Sequence, residues 1–133
     1  MKKMFLFMAM TILSVAACSE ALDLSGKWNV TKIGGEAVEC VAGKPFLSFD
    51  AEQSRIHGNT GVNIINGSYS LDGKKVAFDG LTTTMMAGPE QDMQVERKYL
   101  SAINSAVSAK VAGKNKIVLL DDAGKAVMEL VKE

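Results

Sequence analysis

Turn signals built on glycine recur between short apolar runs from Trp28 to Val131, and this punctuation is what most limits the folds open to the chain. Gly34-Gly35, Asn66-Gly67, Asp72-Gly73 and Asp122-Ala123-Gly124 each interrupt a run before it can build a long helix. Between them, Trp28 and Val30 alternate with Asn29 and Thr31, a period of two that reads as a strand. Pro45–Asp50 and Arg55–Gly58 predict two further strands; the first admits either Phe46 with Ser48 or Leu47 with Phe49 as its inward pair. Asp72-Gly73 is spaced as a two-residue hairpin loop, with Tyr69 and Leu71 facing Val76 and Phe78 across it. Residues 108–112 and the hairpin 116–131 complete a meandering antiparallel sheet.

One segment breaks this period. After Pro89, apolar residues at 95, 99, 100, 103, 106 and 107 fall on one helical stripe, so Met93–Val107 predicts a single amphipathic helix. Pro89 suits its first turn, and Glu90 and Asp92 suit the positive end of its dipole. Asp92 and Glu96 lie four apart on one face, which reads as a charged, solvated first turn. Glu96 also lies among the apolar positions, so it has a second reading as an inward carboxylate hydrogen-bonded to backbone or to the Thr82-Thr83-Thr84 segment. Sheet and helix together predict an α+β class: a single domain with a curled antiparallel sheet packed around one amphipathic helix.

The start of the chain carries a different message. Lys2 and Lys3 precede an apolar stretch from Met4 to Leu13, and Val15-Ala16-Ala17 places small residues before Cys18. This is the pattern of a lipoprotein signal peptide over residues 1–17, with Cys18 as the lipidated N-terminus, residues 18–23 as a tether and residues 24–133 as the domain. Ser19 after that cysteine fits outer-membrane sorting, with palmitate among the expected acyl chains. The expected partner is thus the membrane, through the N-terminal lipid. The apolar core of the leader is shorter than the roughly 20 residues of a retained span.

Charge and composition exclude other classes. Of 15 basic and 15 acidic residues, removal of Lys2 and Lys3 with the leader leaves 13 against 15, a formal charge of −2. Lys110, Lys114 and Lys116 have no interleaved aromatic residue and are followed by Asp121 and Asp122, so no nucleic acid is expected. With Cys18 consumed by lipid, Cys40 has no intrachain partner and reads as a partly buried thiol. His57 is the sole histidine and has no companions at metal-ligand spacing, so neither metal nor cofactor is expected and no catalytic residue is assigned. Met85-Met86 in a strand points its two side chains to opposite faces, so at most one enters the core, and Met85, Met86 and Gly88 form the candidate partner contact.

The ordered set Gly26-Lys27-Trp28, Gly61-Val62-Asn63 with Gly67-Ser68-Tyr69, Thr84-Met85-Met86-Ala87-Gly88-Pro89 before a helix carrying Glu96, and Leu119–Gly124 resembles the META domain family, the HslJ-like heat-shock and envelope lipoproteins. The resemblance covers about residues 24 to 132. It implies antiparallel strands curled around one helix, and a role in envelope stress or integrity. Within these motifs Trp28, Asn63, Gly67, Tyr69, Pro89 and Glu96 are assigned structural roles. Family members often carry cysteine where this chain has Val62 and Gly88, so thiol chemistry or a cross-link there is closed to it. The reading is a non-enzymatic, lipid-anchored binding or structural module that serves envelope integrity or stress tolerance by binding another envelope component, an envelope protein among the expected partners; a module for a small apolar ligand and an enzyme of unassigned class are its rivals.

Overall fold

The first β-strand, β1 (Gly26–Ile33), is hydrogen-bonded to three others, and that triple pairing closes the sheet on itself. The computed structural model describes residues 22–133; the leader and Cys18 lie outside the described residues. In chain order the elements are β1, β2 (Glu36–Ala37), β3 (Phe46–Asp50), β4 (Arg55–Asn59), β5 (Ile64–Asp72), β6 (Lys75–Thr83), α1 (Glu90–Ser105), β7 (Ser108–Gly113), β8 (Lys116–Leu120) and β9 (Ala126–Lys132). The sheet runs β2-β1-β3-β4-β5-β6-β7-β8-β9, every pairing antiparallel, and β9 returns to β1.

Among the described residues, nine strands and one helix make this a largely β fold, which corrects the α+β class. The helix is conspicuous in sequence because its period repeats over four turns. The strand signals in the sequence miss only the two-residue β2, and the α+β class gives this one helix equal weight with the sheet. The helix also begins at Glu90 and ends at Ser105 rather than spanning Met93–Val107. Pro89 stands at its N-cap, and Val107 is drawn out of it by backbone hydrogen bonds to Leu120 and Val76.

The core explains the register. Leu47 and Phe49 are buried while Phe46 and Ser48 are half-buried, which settles β3 in favour of the Leu47/Phe49 pair. Leu47, Ile65, Leu119, Leu130 and Tyr99 have no measurable exposure, so the space inside the closed sheet is filled by side chains from opposite walls and from α1. Trp28 seals one end, donating its indole N–H to the Leu24 carbonyl at 2.7 Å. Tyr69 is half-buried and meets Phe49 edge-on at 5.0 Å between ring centroids. Leu22, assigned to the tether by sequence, already packs against this core, and Leu24 is fully buried.

Two glycine signals mean something other than the sequence suggests. The hairpin loop is Gly73-Lys74, one residue later than Asp72-Gly73, because Asp72 and Lys75 pair across it and Gly73 takes φ +64°. Asn66-Gly67 is not a turn at all: both residues lie inside β5, at a β-bulge opposite Thr82 and Asp79. A Cβ on Gly67 would stand 2.6 Å from Leu81 Cδ2 and 3.0 Å from the Asp79 carbonyl, so glycine is there to let β6 approach.

The sheet has one weak seam. β6 and β7 meet only at Lys75 and Ser108, supplemented by Val76 N–H to the Val107 carbonyl and Ala109 N–H to the Lys74 carbonyl. The helix fills the closed sheet from the side, packing on β9 and β1, and its N-terminus arrives beside three loops: 40–45, 60–63 and 84–89.

Candidate functional site

These three loops are tied together by polar side chains that the surrounding sheet buries. Asn63, 2 % exposed at the start of the turn into β5, faces the segment that follows β6. Its Oδ1 accepts the Met86 N–H at 2.6 Å and the Thr84 hydroxyl at 2.8 Å, while its Nδ2 donates to the Met86 carbonyl at 3.0 Å. A primary amide carries an acceptor and a donor side by side, so one asparagine engages both backbone groups of one residue as a neighbouring strand would.

Glu96, on the buried face of α1, completes the arrangement. Its Oε1 accepts from Asn63 Nδ2 at 2.7 Å and from the Thr60 hydroxyl at 2.7 Å. The Thr60 hydroxyl, in turn, accepts the Asn63 N–H at 3.0 Å. The carboxylate therefore turns inward, with Thr60 as its hydroxyl partner; Thr84 is reached only through Asn63, not directly from the 82–84 segment. Buried polar groups so paired avoid the desolvation cost of an unmade hydrogen bond.

Asp92, one helical turn earlier, corrects the reading of a solvated first turn. It is fully buried, and its two carboxylate oxygens accept the Val41 N–H at 2.7 Å and the Ala42 N–H at 2.9 Å. The Val41 bond foremost, then that of Ala42, holds this carboxyl below its ordinary range despite burial. These partners lie about fifty residues upstream, which no local pattern discloses. Cys40 beside them is half-buried, and burial, with the Asp92 charge, pushes its thiol up.

The network stands behind a loop that carries exposed apolar side chains. Met85 is 93 % exposed and Met86 58 % exposed, so neither enters the core: 84–89 is an irregular segment beyond the end of β6, not a strand with two opposite faces. Val41 is exposed on the neighbouring 40–45 loop and Ile64 at the start of β5. Gly88 lies against Val62: a Cβ there would stand 3.2 Å from Val62 Cγ1 and 3.8 Å from its Cβ. The positions where relatives often place cysteines are thus neighbours in space, and here an apolar contact joins them. Pro89 then starts the helix.

Other candidates stay apart from this site. His57 is exposed on β4, its Nδ1 2.9 Å from Asn66 Oδ1. Among the described residues no group of three or more His, Cys, Asp or Glu side chains is placed to hold a metal ion, and no helix is long and apolar enough to cross a membrane. A surface trough of about 390 Å³ runs between α1 and the β1–β2 turn, floored by Ile33, Ala102 and Val127.

With loops and helix in this arrangement, the comparison with known families is decisive: the META domain model matches residues 20–133. The chain belongs to the META domain family. Solved structures agree with this META domain in fold. A protein from Burkholderia xenovorans, solved by NMR, is 22 % identical, with a TM-score of 0.65 over 95 % of this chain and 99 % of that one. A DUF4847 family protein from Bacteroides vulgatus is 16 % identical, with a TM-score of 0.62 over 83 % and 94 %. No curated protein matches the chain.

Proposed function

We propose that this META domain is the globular part of a lipid-anchored cell-envelope protein, attached to the outer membrane through Cys18, and that it works without catalysis by docking an apolar surface of another envelope protein on its Met85-Met86 loop. The observation that carries this reading is the pairing of opposites in that loop: two outward methionines on a backbone held from behind by the buried Asn63 and Glu96. A chain gains little by fixing an exposed apolar loop unless something contacts it. Methionine suits such a contact, since its unbranched, polarizable side chain adapts to a partner's shape.

The direction of the loop supports a protein as the partner. Leu24 precedes Gly26, which pairs with Phe49, whereas Asn63 and Met86 lie beyond the Phe46, Asn59 and Ile64 end of the same strands. The five residue steps from Leu24 to Asn29 alone separate the two ends by about 17 Å. The four steps from Cys18 to Leu22 span at most about 14 Å. An anchor at Cys18 thus puts the Leu22 end nearest the bilayer and turns the methionine loop toward other envelope proteins, where a part in integrity or stress tolerance would be played.

Metabolic palmitate labelling tests the anchor: label enters the native chain and not Cys18→Ser, and label in that variant contradicts it. A photoreactive side chain at Ala87 tests the docking. A discrete adduct should form in intact cells and disappear in the Met85→Glu, Met86→Glu double variant, which keeps its fold; an adduct indifferent to those changes contradicts the reading. A second reading, a small apolar ligand, has the trough over Ile33, Ala102 and Val127 in its favour.

A further inference from the structure

The four methionines from Met85 onward divide sharply. Met128 is 1 % exposed in the core and Met93 is half-buried on α1, while Met85 and Met86 stand side by side in solvent. Thioether sulfur is oxidised by two-electron oxidants in proportion to access, so the two pairs should react on very different schedules.

The Asn63 contact adds a second, independent condition. It engages the main-chain N–H and C=O of Met86 and leaves both thioethers outside the network of Asn63, Thr60, Thr84 and Glu96. Oxygen added to either sulfur therefore breaks no hydrogen bond of that network. Oxidation of a core methionine such as Met128 would instead put a polar, larger group into close-packed surroundings.

We propose that Met85 and Met86 form an oxidant-modified site, at which hydroperoxides convert two adjacent thioethers to sulfoxides while the fold stays intact. In each step the sulfur lone pair attacks the distal peroxide oxygen, an S–O bond forms and the O–O bond breaks. The sulfur is oxidised by two electrons, the peroxide is reduced, and the proton it carried leaves with the alcohol, or with water when the oxidant is hydrogen peroxide. A dithiol reductant reverses the step, taking the oxygen away as water and becoming a disulfide. The change converts an apolar loop into one bearing two strong acceptors, and its consequence for a partner rests on the docking reading above.

The test uses the full chain and hydrogen peroxide as the probe, with peptide mass spectrometry over time and circular dichroism on the same samples. Met85 and Met86 should each gain one oxygen before Met93, Met128 should gain one only in denaturant, and the doubly oxidised protein should keep its native spectrum and cooperative melting. The Met85→Leu, Met86→Leu variant should lose this early uptake completely. Oxidation of Met128 in step with Met85, or loss of the native spectrum at the two-oxygen stage, would overturn the proposal. The Ala87 adduct in cells separates the two ideas: it should vanish after mild oxidation, and an adduct that survives on the doubly oxidised protein refutes the docking reading while the modification site stands.

Discussion

Asn63 holds Met86 by both of its main-chain polar groups, with 2.6 Å from Oδ1 to the N–H and 3.0 Å from Nδ2 to the carbonyl. That single amide joins the β4–β5 loop to the segment entering α1, and Glu96 fixes the amide's orientation by accepting from the same Nδ2. The exposed methionines are positioned by this chain of contacts rather than by any packing of their own.

Glu96 is the acceptor on which Thr60 and Asn63 converge, so replacing it with leucine removes the 2.7 Å hydrogen bond that each of these buried donors makes to it. Glu96→Leu should destabilise the domain by about 3 kcal/mol, and Glu96→Gln, which keeps a carbonyl oxygen, by less. Denaturant unfolding of both variants checks this; an unchanged midpoint for Glu96→Leu would remove its role.

Gly67→Ala should cost about 1–3 kcal/mol, because the new methyl meets the main-chain carbonyl of Asp79, which cannot yield like a flexible side chain. Thermal melting of the variant against the native chain measures it. A melting point unaltered by the methyl would mean that the β6 bulge facing Gly67 opens freely.

Val62→Cys with Gly88→Cys should form a disulfide, since the 3.8 Å from the Gly88 Cβ position to Val62 Cβ is the usual span of that bond. With Cys40→Ser as background, oxidation should raise stability by about 3 kcal/mol over the reduced form. Thiol titration and paired melts read the result, and free thiols persisting under mild oxidant would place the loops farther apart.

Acid stability should depend on Asp92. Its folded-state pKa lies below the unfolded value because the Val41 and Ala42 N–H groups favour the charged form. Its contribution is therefore present above the ordinary carboxylate pKa of about 4 and is lost as pH falls through the lower folded value. Melting temperature followed from neutral pH into acid should drop in that window, and Asp92→Asn should lower stability at neutral pH while flattening the acid decline. A variant that falls in acid as steeply as the native chain would contradict this assignment.

Much of this architecture was legible in the residues. Strand β1, the Lys116–Lys132 hairpin and the helix after Pro89 follow from periods and turns that act within a few residues, and Glu96 stood out because a carboxylate amid apolar positions must find partners. What stayed hidden depends on segments far apart in sequence. Asp92 looks like an ordinary first-turn acid until Val41 and Ala42 are brought to it. Gly67 looks like a turn until Leu81 is seen against it. The closure of β9 on β1 joins the two ends of the domain, and the two-residue β2 is too short to show any alternation.

Amide hydrogen exchange at Met86 tests the clamp most directly. In the native protein the Met86 N–H should exchange slowly although its side chain stands in solvent, while the Ala87 N–H exchanges fast, and Asn63→Ala should bring Met86 to the Ala87 rate with the core amides of β3 and β8 still protected. Fast exchange at Met86 in the native chain, or protection that survives in Asn63→Ala, would contradict the account.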